Sequence, residues 1–176
     1  MRKLFFFTLF AASFFSCADK VGSLENRLAI LDKEMGGATV TDKKKAEEFI
    51  ITAEQLAGLV EKTDSAKYAD VLLKAAGLAK TIGNPQKSVE LYAKLADGMP
   101  QNPKAPTALF MLGFVYENDL ADLPKAKSIY ESFLQKYPND PDFADDAQTA
   151  LKMLGKTPEE IIREFEQRNR DSIQVN

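Results

Sequence analysis

The chain has no histidine, no tryptophan and one cysteine, Cys17. Without histidine it lacks the commonest general base and the commonest metal ligand. A lone cysteine forms no internal disulfide, so the rest of the chain is compatible with an oxidising compartment. Neither sign of charge dominates: 23 Lys plus Arg stand against 26 Asp plus Glu, for a net charge of −3. That balance gives no footprint for nucleic acid and none for anionic lipid surfaces. Gly-rich phosphate loops and a Ser nucleophile elbow are also missing. The acid pairs Glu47-Glu48, Asp145-Asp146 and Glu159-Glu160 do not converge, because neighbours on a helix project about 100° apart. The cluster Asp140, Asp142, Asp145 and Asp146 lacks the alternating ligands and central glycine of a calcium loop, and helix capping explains it. The expectation is a protein that is not an enzyme and carries no cofactor and no metal.

What is present begins at the N-terminus. Arg2-Lys3 is followed by an apolar run from Leu4 to Phe15, too short to span a bilayer as a helix, and then by Ser16 and Cys17. A short signal ending in a small residue before a lone cysteine resembles the lipobox of bacterial lipoproteins, although Phe14 stands where that family prefers Leu. The resemblance implies a signal peptide over 1–16, lipidation at Cys17 and a membrane-anchored mature chain. An ordinary secretory signal with an incidental cysteine is the alternative. Ala18 rather than Asp follows the cysteine, which in Gram-negative lipoproteins implies the outer membrane, here periplasm-facing. Removing residues 1–16 takes away Arg2 and Lys3 and no acid, moving the net charge from −3 to −5.

From residue 23 onward the pattern is helical, with no competing strand pattern. Residues 17–22 read as a tether. Ser23 caps a helix with Leu24, Leu28, Leu31 and Met35 on one face, broken at Gly36-Gly37-Ala38-Thr39. Thr41 or Asp42 starts the next, with Ala46, Phe49, Ile50, Ala53, Leu56, Ala57 and Val60 inward and Lys43-Lys44-Lys45 as a solvated first turn. Asp64-Ser65 opens a third helix, Gly83-Asn84-Pro85 is a turn, and a fourth helix carries Ser88, Val89, Tyr92, Leu95 and Ala96 up to Met99-Pro100. The clearest stretch is Lys104 to Pro138. Its first helix carries Ala108, Leu109, Leu112, Gly113 and Tyr116, and its second carries Ala126, Ile129, Tyr130, Phe133 and Leu134. Gly113 and Ala126 are small where two helices would cross, and Pro138 closes the unit. After it, Asp140 caps a helix with Phe143, Ala144, Ala147, Ala150, Leu151 and Leu154 inward. Thr157-Pro158-Glu159-Glu160 is a capping box before a last helix using Ile161, Ile162 and Phe165, with a loose tail from Asp171.

Leu112-Gly113-Phe114-Val115-Tyr116, followed by Ala126, Tyr130 and Pro138, resembles the tetratricopeptide repeat (TPR). Leu109 replaces the family's Trp, and the turn around Asp119–Leu123 is about one residue longer than usual. Ala76, Ser88, Tyr92 and Pro100 answer to Gly113, Ala126, Tyr130 and Pro138. Pro100 and Pro138 lie 38 residues apart against a family period of about 34. The resemblance implies an all-α, right-handed TPR-like α-α superhelix of about four helical hairpins. These are an N-terminal hairpin over 23–63, two TPR units over 64–138 and a C-terminal capping hairpin over 139–170.

It also implies a concave groove lined by the first helices, at Asp70, Leu73, Gly77 and Lys80 in one unit and Thr107, Phe110, Phe114 and Glu117 in the next. Phe110 and Phe114 either form an apolar anchor site there or pack on the neighbouring hairpin. The carboxylate-clamp type of TPR needs Lys and Asn at positions held here by Leu73, Gly77, Phe110 and Phe114, so chaperone-tail binding is not expected. The repeats are similar to those of the BamD family of β-barrel assembly lipoproteins and the CpoB family of Tol-associated envelope coordinators. The function so implied is a lipid-anchored scaffold or adaptor binding other envelope proteins or peptide segments, with no nucleic acid partner. The alternative is an accessory lipoprotein that captures a polymer or nutrient at the cell surface.

Overall fold

The protein is described by a computed structural model over residues 8–36 and 42–174, with side chains described over 18–36, 42–167 and at Arg170. Among these residues all regular structure is helical. In chain order the elements are α1 (Thr8–Glu34), α2 (Lys43–Val60), α3 (Ser65–Thr81), α4 (Pro85–Gly98), α5 (Ala105–Asn118), α6 (Leu123–Lys136), α7 (Ala144–Met153) and α8 (Pro158–Gln174). From α1 to α7 each helix packs on the next, and α3 also touches α5. The result is a stack of antiparallel hairpins in a TPR-like superhelix.

Local chemistry sets the helix starts. Asp42, Asp64, Asn84 and Asp122 each sit at an N-cap, and the side chain of each accepts from the backbone N–H three residues on. Those N–H groups have no partner inside the helix, so each cap is worth about 1 kcal/mol. Thr157 and Glu160 form a reciprocal box before α8: the Thr157 N–H donates to Glu160 Oε2 (2.8 Å) and the Glu160 N–H to Thr157 Oγ1 (3.2 Å). Gly83 and Gly155 close α3 and α7 in the left-handed region, at φ 76° each. The long turn after α5 has Ala121 in that region instead, at φ 52°, a conformation disfavoured for a residue with a Cβ.

One core runs through the stack, from Leu28 and Leu31 in α1 to Ala147 in α7. Its tightest crossing is between α5 and α6. A Cβ built on Gly113 would lie 2.7 Å and 2.9 Å from Tyr130 ring carbons, so only glycine lets the buried Tyr130 ring lie flat on α5. The Tyr130 hydroxyl donates to Glu117 Oε2 at 2.8 Å. In the preceding hairpin Ala76, Ser88 and Tyr92 are buried in the corresponding places. The hairpins are tied end to end by Tyr137, whose hydroxyl donates to the Pro100 carbonyl (3.0 Å), and by Asn102, whose amide donates to the Ser65 carbonyl (3.0 Å).

Three expectations are corrected. Residues 18–22, read as a tether, lie inside α1, and Ser23 caps nothing; no proline or left-handed position interrupts the helix there. α8 continues to Gln174, past the point where a loose tail was expected. Finally, α7 and α8 do not close into the hairpin expected over 139–170. α8 lacks the close packing of the seven helices before it, and Ile162 and Phe165 are exposed at 58% and 60%. α7 has only ten residues and buries Ala144 and Ala147, on the side packed against α6. No small residue faces an aromatic ring to lock α8 down, as Gly113 does with Tyr130. The leader expected over 1–16 falls largely, and the side chain of Cys17 wholly, outside the described residues.

Candidate functional site

The first helices α1, α3 and α5 present one continuous face, laced by ion pairs. Glu25 and Asp32 of α1 pair with Lys67 and Lys74 of α3, the second pair at 2.6 Å. Asp70 of α3 pairs with Lys104 at the cap of α5, and Lys80 reaches Asp119 at 3.6 Å. Such half-exposed pairs contribute at most about 1 kcal/mol each. Their consequence is geometric and electrostatic: acids and bases alternate across the face, which is close to neutral.

The expected groove residues divide into two groups. Lys80 and Phe114 come together, with the ammonium 5.1 Å from the ring centroid. Phe114 is half-buried and lies outside the main core cluster. Thr107, a helical repeat before it on α5, and Gly77 on α3 are also half-buried, while Asp70 is exposed and spent on Lys104. Leu73 packs against the core.

Phe110 and Glu117 are not groove residues. Phe110 is 9% exposed and stacks on Phe143 at 4.6 Å between centroids, with Tyr130 and Phe133 at 5.7 and 6.0 Å. The turn before α7 covers it, so of the two readings left open for Phe110 the packing one holds. Glu117 turns inward to accept the Tyr130 hydroxyl. Burial and that carboxylate together push the Tyr130 hydroxyl far above its ordinary pKa. Burial alone pushes Tyr92 up to about 12.

One group of residues was missed. Four helices begin with the same Asx-x-x-Lys step: Asp42–Lys45, Asp64–Lys67, Asn84–Lys87 and Asp122–Lys125. A lysine in the first turn opposes the helix dipole. Each of these reaches back to an earlier helix instead. Lys45 meets Glu34 (3.2 Å), Lys67 meets Glu25, Lys87 meets Glu54 (3.2 Å), and Lys125 lies 6.0 Å from the Tyr116 ring centroid. Lys45 is therefore not merely part of a solvated run. The Glu25 carboxylate raises the Lys67 pKa, and Glu90 with Glu54 raises that of Lys87. The recurrence of this step at helix starts is the sequence signal that would have found them.

A second concavity, about 270 Å³, lies on α4, α5 and α6, lined by Ala93, Asp97, Leu109, Tyr116, Lys125 and Ser132 among others. Among the described residues no group of three His, Cys, Asp or Glu is placed to hold a metal ion. No described helix is long and apolar enough to cross a membrane.

No curated protein and no solved structure matches the chain. Residues 107–140 match the family model of the tetratricopeptide repeat, a unit that serves contact between proteins. That segment is the α5–α6 hairpin with the Gly113–Tyr130 crossing, and the chain thus carries a tetratricopeptide repeat within an all-α stack of hairpins.

Proposed function

We propose that the protein is a lipid-anchored adaptor of a bacterial cell envelope, held at the outer membrane through Cys17 and facing the periplasm. On this reading its first-helix face receives a segment of another envelope protein. The observation that carries it is Phe114: an aromatic ring left outside the core cluster, beneath Lys80, on a face whose charges otherwise cancel. A face of that kind takes an apolar side chain onto the ring while Lys80 swings to a carboxylate of the incoming segment. The complexes in view are those of the resemblance, outer-membrane protein assembly or Tol-linked envelope integrity. Because the groove is near neutral, affinity rests on apolar contact and changes little with salt.

Two substitutions test the parts separately. Cys17→Ser should move the protein from the membrane fraction to the soluble one; retention in the membrane fraction defeats the anchor. Phe114→Ala should abolish capture of the partner from crosslinked envelopes with a melting temperature close to that of the parent. Unchanged capture places the binding surface elsewhere.

A second reading, capture of a small polar ligand at the cell surface, has one observation in its favour. Asp97, Lys125, Ser128 and Ser132 converge in the cleft on α4, α5 and α6. Its volume, about 270 Å³, falls just below the range of ligand sites, about 300–1,000 Å³.

A further inference from the structure

Among the described helices, α8 alone carries an exposed apolar seam and lacks close packing on a neighbouring helix. Ile162 and Phe165 are exposed, three residues apart on one face. Ile161, the neighbouring apolar residue, lines a cleft with Thr149 and Met153 of α7, and Lys156 before the helix pairs with Glu164 at 2.7 Å. The Ile162–Phe165 seam therefore runs along the side of α8 next to that cleft, where both side chains stay exposed.

The charges beside that seam identify its occupant. Glu159, Arg163, Glu166 and Arg170 are all exposed, and at about 100° per residue they fall along one flank of the seam. None of the four forms an ion pair among the described residues. Their order is acid, base, acid, base, and it is complementary to its own reverse. When two α8 helices lie antiparallel, this flank faces its own copy. Glu159 then meets the second copy's Arg170, Arg163 meets its Glu166, and the reciprocal pairs form about the same midpoint between Glu164 and Phe165. That register also brings Ile162 beside Phe165 of the other copy. A parallel pair would set this flank against the opposite one, where Glu164 is already paired with Lys156.

A lipid surface fits less well. α8 carries Glu159, Glu160, Glu164, Glu166 and Asp171 against Arg163, Arg168 and Arg170, an acidic balance that anionic headgroups repel.

We propose that α8 is a self-association helix through which two copies of this chain pair antiparallel, by the Ile162–Phe165 seam and the Glu159/Arg170 and Arg163/Glu166 ion pairs. Such a two-helix contact is isologous and small, so association is weak in dilute solution.

The test is sedimentation velocity of the full chain carrying Cys17→Ser, over a concentration series reaching the high micromolar range. The parent is expected to pass from monomer to dimer. Arg163→Glu alone and Glu166→Arg alone each set like charges opposite one another and are expected to weaken the dimer about tenfold. The double variant Arg163→Glu/Glu166→Arg restores it, and a mixture of the two single variants forms the heterodimer. Phe165→Asp abolishes association, with the circular dichroism of the array unchanged because the residue is exposed. Monomer at every concentration overturns the proposal. So does association indifferent to the charge swaps, which would arise from another surface such as the apolar run at residues 4–15.

Discussion

Replacing Gly113 by alanine opposes two effects of known size, and the geometry decides between them. In the middle of a helix the change gains about 1 kcal/mol from propensity. At Gly113 the new methyl would sit 2.7 Å and 2.9 Å from Tyr130 ring carbons and 3.2 Å from a third. The ring cannot yield cheaply. It is fully buried, lies 5.7 Å from Phe110, and its hydroxyl is bonded to Glu117. Overpacking of this kind costs about 1–3 kcal/mol, and losing a hydrogen bond to a charged group adds about 1.5–3 kcal/mol if the ring moves. The net expectation is a loss of about 2 kcal/mol or more, or roughly 4–8 °C at about 2–4 °C per kcal/mol.

Gly58 supplies the control. It lies inside α2, and a Cβ there would meet nothing within 4 Å. Gly58→Ala keeps the propensity gain without the clash and should raise the melting temperature by about 2–4 °C. Thermal and urea unfolding followed by circular dichroism reads both. Two shifts of the same sign would show that Gly113 is not held by its approach to Tyr130, and the assignment of the tightest crossing would fail.

Other expectations follow from the same packing. Phe110→Ala should cost about 3–5 kcal/mol in urea unfolding, in contrast to Phe114→Ala, because Phe110 is enclosed by Tyr130, Phe133 and Phe143. Ser88 Oγ is buried without a hydrogen-bond partner, so Ser88→Ala should stabilise by about 1 kcal/mol; a loss would reveal a partner for the hydroxyl. Stability should fall as pH rises from about 10 to about 12. In that window the unfolded chain has released the Tyr92 proton and the folded chain still holds it, a loss of roughly 2–3 kcal/mol that is absent below pH 10. Tyr92→Phe should make that slope shallower in alkaline unfolding titrations, with the raised Tyr130 hydroxyl still contributing to it.

The helical fold and most hairpin edges were legible because their determinants are local. Asp42, Asp64, Thr157 and the residues about Gly83 and Pro138 act on a few neighbouring backbone groups, and their chemistry reads directly from residue type. The Gly113–Tyr130 crossing was legible because a small residue and a ring at family spacing have few other uses. Phe110 and Phe114 show where legibility ended. They stand four apart on one helix, and only the approach of Phe143 from the next turn separates them into core and face. The inward turn of Glu117 depends on Tyr130, thirteen residues on. The failure of α8 to dock had no local signature either, since Ile161, Ile162 and Phe165 make the same pattern whether or not a neighbour covers them. The stapling lysines were hidden because each partner lies on an earlier helix.

A photocrosslinking residue placed at position 114 of the full-length protein in intact cells, with position 128 on α6 as the comparison, examines the proposed binding face itself. The expectation is a defined adduct with another protein from position 114 and none from 128. Equal labelling from both positions, or adducts from 128 alone, would contradict a binding face built on the first helices.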